Sequence, residues 1–257
     1  MGMDTASAER WAARLDDARR SRSGHPPLTD LVDLDLDAAY TIQRAVTARR
    51  LARGERIVGW KLGYTSPAMR AQMGIDRPNF GPLTDVMLLA DGDVVDAALL
   101  QPKVEPEIAL RFARPLQGVV DVADVLGAVD AAHACLEVVD SVYPGYRFRI
   151  EDNTADGSSA AQVVLGAALP SIERLDEVTV VFERNGEHVA TATGAAASGH
   201  PALGVVWLVA RLAERGAALR PGDVVITGGL TAAVPLEPGD VVTATFDGAV
   251  GVGVRRA

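Results

Sequence analysis

The stretch KVEPEIALRF, residues 103–112, alternates: five apolar side chains fall on one side of an extended chain, and mainly charged ones fall on the other. A period of two is typical of a β-strand with one face against a core. Glu105 and Glu107 then point the same way, about 7 Å apart along the strand. Two interpretations are open. Either a hard divalent cation such as Mg²⁺, Mn²⁺ or Ca²⁺ lies between them, or Lys103 and Arg111 balance them on a solvated face.

A third carboxylate belongs to a second strand, predicted over residues 133–139. Glu137 lies there between Leu136 and Val138. A buried carboxylate needs a cation, because burial of an uncompensated charge is costly. The cation is either a basic side chain in a buried salt bridge or a metal. With Glu105 and Glu107, Glu137 would give three carboxylates from two strands, which is half of an octahedral site.

A lysine interrupts the apolar strand predicted over residues 57–63. Lys61 lies between Trp60 and Leu62. Desolvation lowers the pKa of a lysine, so Lys61 could exchange protons near neutral pH. The alternative is that Lys61 pairs with Glu137 or another acid.

Other reactive residues carry weaker signals. His133 and Cys135 share a strand face with Glu137, but no C-x-x-C or H-x-x-x-H spacing accompanies them. A lone buried cysteine usually acts as a small apolar residue, so a thiol nucleophile or a His/Cys metal site is not favoured. Gly228-Gly229, after a predicted strand, is either a tight turn or a place where the backbone approaches a ligand.

Composition limits the class of protein. The chain has 257 residues, 48% of them apolar, and a net charge of −9. The acidic balance argues against a nucleic-acid surface. One cysteine allows no intrachain disulfide and fits a reducing compartment. Neither a secretory h-region nor an apolar run of membrane-spanning length is visible, so we expect a soluble, cytoplasmic protein without membrane contact.

The pattern of elements predicts an α+β fold, with helices before residue 75 and strands after residue 100. We expect a helical N-terminal part over residues 1–75 and a β-rich catalytic core over 76–257, within one continuous globular unit. Residues around Pro78, Gly81 and Pro82, and residues 143–160, are predicted loops. Helices are predicted over 4–21, 37–53, Ser66–Met73, 120–129 and 201–215, the last buried nearly all round. Further strands are predicted in a hairpin over 178–193 and after turns at 221–223 and 238–240.

Several motifs, in order and spacing, resemble one known group. They are VGWKLGYTS (58–66), Met73-Gly74, Asn79-Phe80-Gly81, VEPEI (104–108) and EVVDS (137–141). The resemblance is to the 2-keto-4-pentenoate hydratase and 4-oxalocrotonate decarboxylase group of the fumarylacetoacetate hydrolase superfamily. It covers nearly the whole chain and implies that superfamily's C-terminal-domain fold, a mixed β-sheet roll or sandwich.

The resemblance also implies residue roles. Glu105, Glu107 and Glu137 would bind Mg²⁺ or Mn²⁺, and Lys61 would be the catalytic acid–base that also orients the substrate. Thr65, Ser159 and Thr227 are candidates for hydrogen bonds to substrate oxygens. A homo-oligomer and association with a partner hydratase are also expected.

Within the group, the C-terminal third is similar to the decarboxylases, above all TGGLTAA at 227–233. The expected reaction is metal-dependent decarboxylation of an unsaturated 2-oxo dicarboxylic acid such as 2-oxo-3-hexenedioate, which gives a 2-hydroxydienoate and CO₂. The alternatives are a hydratase of 2-hydroxy-2,4-dienoates and a non-catalytic partner subunit of such a hydratase. Val142 and Gly157 depart from the family pattern near the expected pocket, which leaves the natural substrate open.

Overall fold

Two β-sheets and a layer of helices make up the fold in a computed structural model that describes residues 3–66, 70–71 and 74–257. The larger sheet has eight strands and the smaller has four. In chain order the strands are β1 (Ile57–Gly63), β2 (Asn79–Thr84), β3 (Leu88–Ala90), β4 (Lys103–Phe112), β5 (Val129–Val139), β6 (Ala160–Ala168), β7 (Thr179–Arg184), β8 (Glu187–Thr193), β9 (Val224–Ile226), β10 (Val234–Pro235), β11 (Val241–Phe246) and β12 (Val250–Arg255).

The longest helices come first in the chain and pack against each other. Asp4 and Asp35 cap the two N-terminal helices, because each side chain accepts a hydrogen bond from the backbone three residues on. The helix predicted over Ser66–Met73 lies mostly outside the described residues. The described helices are α1 (Thr5–Arg20), α2 (Leu36–Ala52), α3 (Val122–Ala128), α4 (Ile150–Ala155) and α5 (Pro201–Ala213). No helix within the described ranges is long and apolar enough to cross a membrane.

The larger sheet is mixed, which confirms the predicted α+β fold with a mixed β core. Its strand order is β2-β1-β9-β4-β5-β6-β3, with β10 also paired to β4. The β1–β9 and β3–β6 pairs are parallel and the other pairs are antiparallel. The smaller sheet, β12-β11-β7-β8, is antiparallel, and the two sheets share a core in which Ile108 and Leu136 cluster with Phe182 and Phe246. The division of the chain at residue 75 stays a prediction, and β1, which precedes it, is part of the larger sheet.

One edge of β4 is shared by two short strands with a gap between them. β9 pairs with Ala109–Arg111 and β10 pairs with Lys103 and Val104. The connecting segment, residues 227–233, leaves the regular ladder but stays beside β4, because the Thr227 N–H donates to the Ile108 carbonyl oxygen at 3.1 Å and the Leu230 N–H donates to the Pro106 carbonyl oxygen at 2.9 Å. Regular strand pairing is therefore interrupted beside residues 105–107 of β4.

The predicted loop over residues 143–160 is wrong in its central part, which contains α4. Asp152 accepts hydrogen bonds from the backbone N–H groups of Arg149 and Thr29 and from the Thr29 hydroxyl. Three of the four side chains that the helix buries are polar, so it gives no hydrophobic period. Asp152, Asn153 and Thr154 are all buried.

The predicted loop near Pro82 is also wrong, because these residues form β2. This strand lies at the edge of the sheet and pairs only with β1, and an edge position tolerates a proline that cannot donate a ladder hydrogen bond. β5 begins at Val129 rather than at residue 133, and β3 and β6 were not predicted. α5 is not buried all round, since 45% of Leu203 is exposed.

We predict that Gly59→Ala destabilises the fold by roughly 2–4 kcal/mol. A Cβ on Gly59 would lie 1.9 Å from the Val224 carbonyl oxygen, so β1 and β9 could not keep their parallel pairing. The measurement is urea unfolding followed by circular dichroism. Gly251→Ala is the matched control, because a Cβ there meets nothing within 4 Å and should leave the midpoint nearly unchanged. Equal midpoints for the two variants would contradict the prediction.

Candidate active site

Three glutamates converge where β4 and β5 pair. Glu105 lies opposite Glu137 in the antiparallel register, and Glu107 follows two residues along β4 on the same face. One carboxylate oxygen from each residue lies within 4.8 Å of the others. Glu107 and Glu137 are fully buried, and Glu105 is half-buried at the edge of the cluster.

Neither basic residue of β4 forms an ion pair with this cluster, and Glu107 and Glu137 are fully buried, so the interpretation as a solvated strand face is wrong. Arg111 pairs instead with Asp130, with Nε 2.9 Å from Oδ1. Lys103 places its ammonium 4.1 Å from the centre of the Tyr146 ring. The glutamates are therefore held together by other contacts.

Lys61 is the cation that reaches the cluster. Its side chain is buried, its Nζ lies 2.9 Å from Glu137 Oε2, and it donates a hydrogen bond to the Ser158 carbonyl oxygen at 3.0 Å. Burial lowers the pKa of Lys61, but the charges of Glu137, Glu105 and Glu107 outweigh it and raise this pKa overall. The expected lowered pKa of Lys61 is thus wrong in the metal-free protein, and the alternative, an ion pair with Glu137, is what the structure contains.

One lysine does not compensate three carboxylates, and the glutamates resist ionisation as a result. Burial, followed by the charge of Glu137, raises the pKa of Glu105 to about 7. The same causes raise the pKa of Glu107 well above its usual value. Three of the carboxylate oxygens have no hydrogen-bond partner among the described residues: Glu107 Oε1 and both oxygens of Glu137, of which Oε2 contacts Lys61 as an ion pair.

These observations fit a bound divalent cation. Buried polar atoms without partners are rare in proteins, and oxygen-only donors suit Mg²⁺, Mn²⁺ or Ca²⁺. When all three are ionised, three carboxylates and one ammonium carry two excess negative charges, the charge that one divalent ion neutralises. The residues present can therefore hold such an ion with small movements of their side chains.

A cavity of about 280 Å³ opens from the exposed side of Glu105. Its described lining combines polar and apolar side chains. The lining residues include Lys61, Leu62, Tyr64, Thr65, Lys103, Glu105, Val139, Tyr146, Phe148, Asn153, Ser158, Ser159, Gly229 and Ala232. The cavity gives a small ligand direct access to the cluster.

The three predicted substrate contacts do not all reach this cavity. Thr65 lines it, and the buried Thr65 hydroxyl oxygen has no hydrogen-bond partner among the described residues. Ser159 also lines it and accepts a hydrogen bond from Asn153 Nδ2 at 2.9 Å. Thr227 is fully buried, donates to the Ile108 carbonyl oxygen at 2.9 Å, and is not among the lining residues.

Gly228 and Gly229 form a turn that brings backbone against the cluster, while an approach of this backbone to a ligand stays a prediction. Gly228 has φ of 103°, and its N–H donates to Glu107 Oε2 at 2.7 Å. A Cβ on Gly229 would lie 2.3 Å from Glu105 Oε2. Side chains at these two positions would displace the carboxylates or the turn.

A buried polar network behind Lys61 could not be read from the sequence. Asn79 Nδ2 donates to Asn153 Oδ1, and Ser158 Oγ donates to Asn79 Oδ1, each at 2.9 Å. Gly157, Ser158 and Ser159 all have positive φ, from 55° to 72°. The network holds this left-handed turn so that the Ser158 carbonyl meets the Lys61 amine. The only signal in the sequence was the presence of Asn79 and Asn153 close to turn-forming residues.

Cys135 lies in the core and is not among the described residues that line the cavity. It is fully buried in β5, and burial raises the pKa of its thiol well above the usual value. A thiol that stays protonated is a poor nucleophile and a poor metal ligand. His133 contacts the Gly166 carbonyl oxygen through Nδ1 at 3.1 Å. This agrees with the sequence argument against a thiol or His/Cys site.

Comparison with known proteins settles the family. The sequence profile described as fumarylacetoacetate (FAA) hydrolase C-terminal matches residues 56–255. This chain belongs to the fumarylacetoacetate hydrolase family. Among family members, 4-oxalocrotonate decarboxylase of Pseudomonas sp. (strain CF600) is 39% identical over 249 residues, which cover 95% of this chain and 94% of that protein. The 2-keto-4-pentenoate hydratase of Paraburkholderia phymatum is 37% identical over 250 residues, covering 95% of each chain.

A solved structure of a family member is also similar along the whole chain. The 4-oxalocrotonate decarboxylase from Pseudomonas putida G7, complexed with magnesium and adipate, superposes with a TM-score of 0.94. It is 36% identical, and the match covers 99% of both chains. The resemblance inferred from the motifs is confirmed at the level of family and fold.

We predict that the metal-free protein loses stability as pH rises from about 4.5 to about 7, the ordinary and folded-state pKa values of Glu105. In this range the unfolded chain has released a proton that the folded protein still holds, so unfolding is favoured as pH increases, by roughly 1–3 kcal/mol. Urea unfolding in EDTA at several pH values measures the slope. Glu105→Gln should reduce this slope, with Glu107 keeping part of it because its pKa is raised as well, and a slope unchanged by the substitution would refute the assignment.

Proposed function

We propose that the protein decarboxylates an unsaturated 2-oxo dicarboxylic acid of the 2-oxo-3-hexenedioate type, giving a 2-hydroxydienoate and CO₂. The observation that carries this proposal is the buried cluster of Glu105, Glu107 and Glu137 beside Lys61, at the wall of a cavity of small-molecule size. The similarity to two 4-oxalocrotonate decarboxylases, at 39% and 40% identity, supports the choice of reaction.

In this proposal the three glutamates hold Mg²⁺ or Mn²⁺. The uncompensated charge and the unpartnered oxygens of the cluster support it. When bound, the ion supplies a Lewis acid that favours negative charge on the 2-oxo oxygen of the substrate. Glu107 and Glu137 are buried, so little water competes with their carboxylate oxygens for the ion.

Lys61 is proposed as the catalytic acid and as an orienting group. An ammonium has three donors. One faces Glu137 and one donates to the Ser158 carbonyl, which leaves one for the substrate. As the bond to the distal carboxyl carbon breaks, its electron pair moves through the conjugated chain to the 2-oxo oxygen, and Lys61 donates a proton there to complete the 2-hydroxydienoate. Its raised pKa keeps it protonated before that step.

Thr65 and Ser159 are proposed to orient the substrate through hydrogen bonds. Both line the cavity, and the unpartnered Thr65 hydroxyl has a free donor and acceptor capacity. The position of Thr227 supports a different proposal for this residue: its bond to Ile108 fixes the start of the turn that carries Gly228.

A hydratase acting on 2-hydroxy-2,4-dienoates is the second candidate. The 37% identity to a 2-keto-4-pentenoate hydratase over 95% of the chain favours keeping it. In this reaction the glutamate cluster would again hold the ion and Lys61 would again transfer a proton, while water is added to the dienoate. The two candidates differ in their products, since only decarboxylation releases CO₂.

We also propose a cytoplasmic homo-oligomer that associates with a partner hydratase. The support is chemical, because the 2-hydroxydienoate made here is the substrate class of such a hydratase. Exposed apolar side chains, including Leu203, Val86 and Val241, are available for contacts between chains. Light scattering of the protein alone and mixed with a hydratase measures both associations.

We predict that the protein with Mg²⁺ converts 2-oxo-3-hexenedioate to CO₂ and a 2-hydroxydienoate. Carbon dioxide release and identification of the organic product by mass spectrometry measure the reaction. A 4-hydroxy-2-oxo acid formed from a 2-hydroxydienoate, without CO₂ release from the diacid, would instead establish the hydratase. Activity with neither substrate, although Mg²⁺ binds, would refute both.

We predict that Glu107→Gln lowers turnover at least about 100-fold and weakens Mg²⁺ binding, while the fold is retained. Glu107 is fully buried, and one of its oxygens has no other partner in the described chain, so its charge serves the ion rather than the fold. Calorimetric titration with Mg²⁺, kinetics and circular dichroism measure the three properties. Glu187→Gln, on an exposed strand, is the control. Full activity of folded Glu107→Gln would rule out the mechanism.

A further inference from the structure

Lys103 is a second lysine at the cavity, and the mechanism above does not use it. It begins β4 two residues before Glu105, so both side chains point to the same face. Both line the cavity. Within the described chain the Lys103 ammonium forms no ion pair and no hydrogen bond.

The position of this ammonium is nevertheless fixed. Lys103 Nζ lies 4.1 Å from the centre of the Tyr146 ring, a cation–π distance. The ring cannot swing freely, because the Tyr146 hydroxyl lies 3.0 Å from the carbonyl oxygens of Gln101 and Val139. A cation–π contact holds the charge in place without neutralising it, so Lys103 keeps its capacity to pair with an anion.

The other cations nearby are already paired. Lys61 contacts Glu137, and Arg111 at the far end of β4 contacts Asp130. Among the described lining residues, Lys103 is thus the one cation that makes no ion pair with a carboxylate, although its charge opposes the rise in the pKa of Glu105. An unpaired cation at the wall of a cavity is a binding site for a ligand anion.

The charges of the cavity therefore match a ligand with two acidic ends. Lys103 and Glu105 both line the cavity, with about 7 Å between their backbones along β4, so an anion-binding group and a cation-binding group lie side by side in its wall. Leu62, Val139 and Phe148 supply apolar walls for a short carbon chain. The similar decarboxylase from Pseudomonas putida G7 is complexed with adipate, a six-carbon diacid, together with magnesium.

We propose that Lys103 binds the distal carboxylate of a 2-oxo diacid and so selects diacids over monoacids. The inference rests on the proposed function, since the decarboxylase substrate has this second carboxylate and a hydratase substrate lacks it. The distal carboxylate leaves as CO₂, so its charge disperses in the transition state. Lys103 consequently favours the bound substrate, and its loss should raise KM while kcat stays the same or increases.

The test compares two ligands that differ only at the distal end, 2-oxoadipate and 2-oxohexanoate, by calorimetric titration in saturating Mg²⁺. Wild type should prefer 2-oxoadipate. Lys103→Met should lower the affinity for 2-oxoadipate about 10-fold or more and leave the affinity for 2-oxohexanoate within about twofold of the wild-type value. Lys103→Arg should restore the preference in part. Arg111→Met removes a cation from the same strand outside the cavity and should change neither affinity.

Two results would overturn the inference: no preference for the diacid in wild type, or the same change for both ligands in Lys103→Met. Lys103→Gln is a second variant if Lys103→Met melts early. Kinetics separate this inference from the proposed function. Normal CO₂ release with an unchanged KM in Lys103→Met refutes the role of Lys103 alone. No CO₂ release by wild type, with a diacid preference that Lys103→Met abolishes, refutes the decarboxylase and supports the role of Lys103.

Discussion

Like charges forced together in a dry environment are the constraint on which the rest of this structure depends. Antiparallel pairing sets Glu105 opposite Glu137, and the strand period adds Glu107 on the same face. Folding alone gains nothing from three carboxylates at one point, and Lys61 offsets only one of their charges. The cluster therefore has an unfavourable electrostatic energy that a bound divalent cation would lower. The same residues thus set both the stability of the fold and the chemistry of the site.

The surrounding elements make this arrangement accessible. β9 and β10 both pair with β4, and the segment between them stays close to β4 beside the glutamates, where Gly229 has no side chain to displace Glu105. On the opposite side, the polar residues of α4 and the left-handed turn at Gly157–Ser159 hold Lys61 from behind. A rigid sheet thus carries the anions, and two irregular segments shape the access to them.

The sequence was sufficient for the features that follow from period and composition. The alternation in β4 predicted that Glu105 and Glu107 share one face of the strand. A charged residue within an apolar strand identified Glu137 and Lys61 as candidate site residues. Family motifs supplied the architecture. The predictions failed where local structure depends on buried polar side chains or on the position of a strand in the sheet. α4 has no hydrophobic period, and β2 carries a proline that is tolerated only because the strand lies at an edge.

Residues that act across long sequence separations also could not be predicted. Whether Thr227 faced the cavity depended on a hydrogen bond to Ile108, more than one hundred residues away. The pKa of Lys61 likewise depended on the sum of burial and three opposing charges, of which burial alone was visible from its apolar neighbours. When burial and neighbouring charges shift a pKa in opposite directions, the direction of the net shift depends on tertiary structure.

The hydrogen bond from the Gly228 amide to Glu107 has a consequence for cooperativity. It ties a carboxylate of the cluster to the segment that borders the cavity, where Gly229 and Ala232 lie. Any shift of that carboxylate toward an ion alters the energy of the segment, and any ligand that repositions the segment alters the carboxylate. Occupancy of the two places is then thermodynamically linked, and each must change the affinity of the other by the same factor.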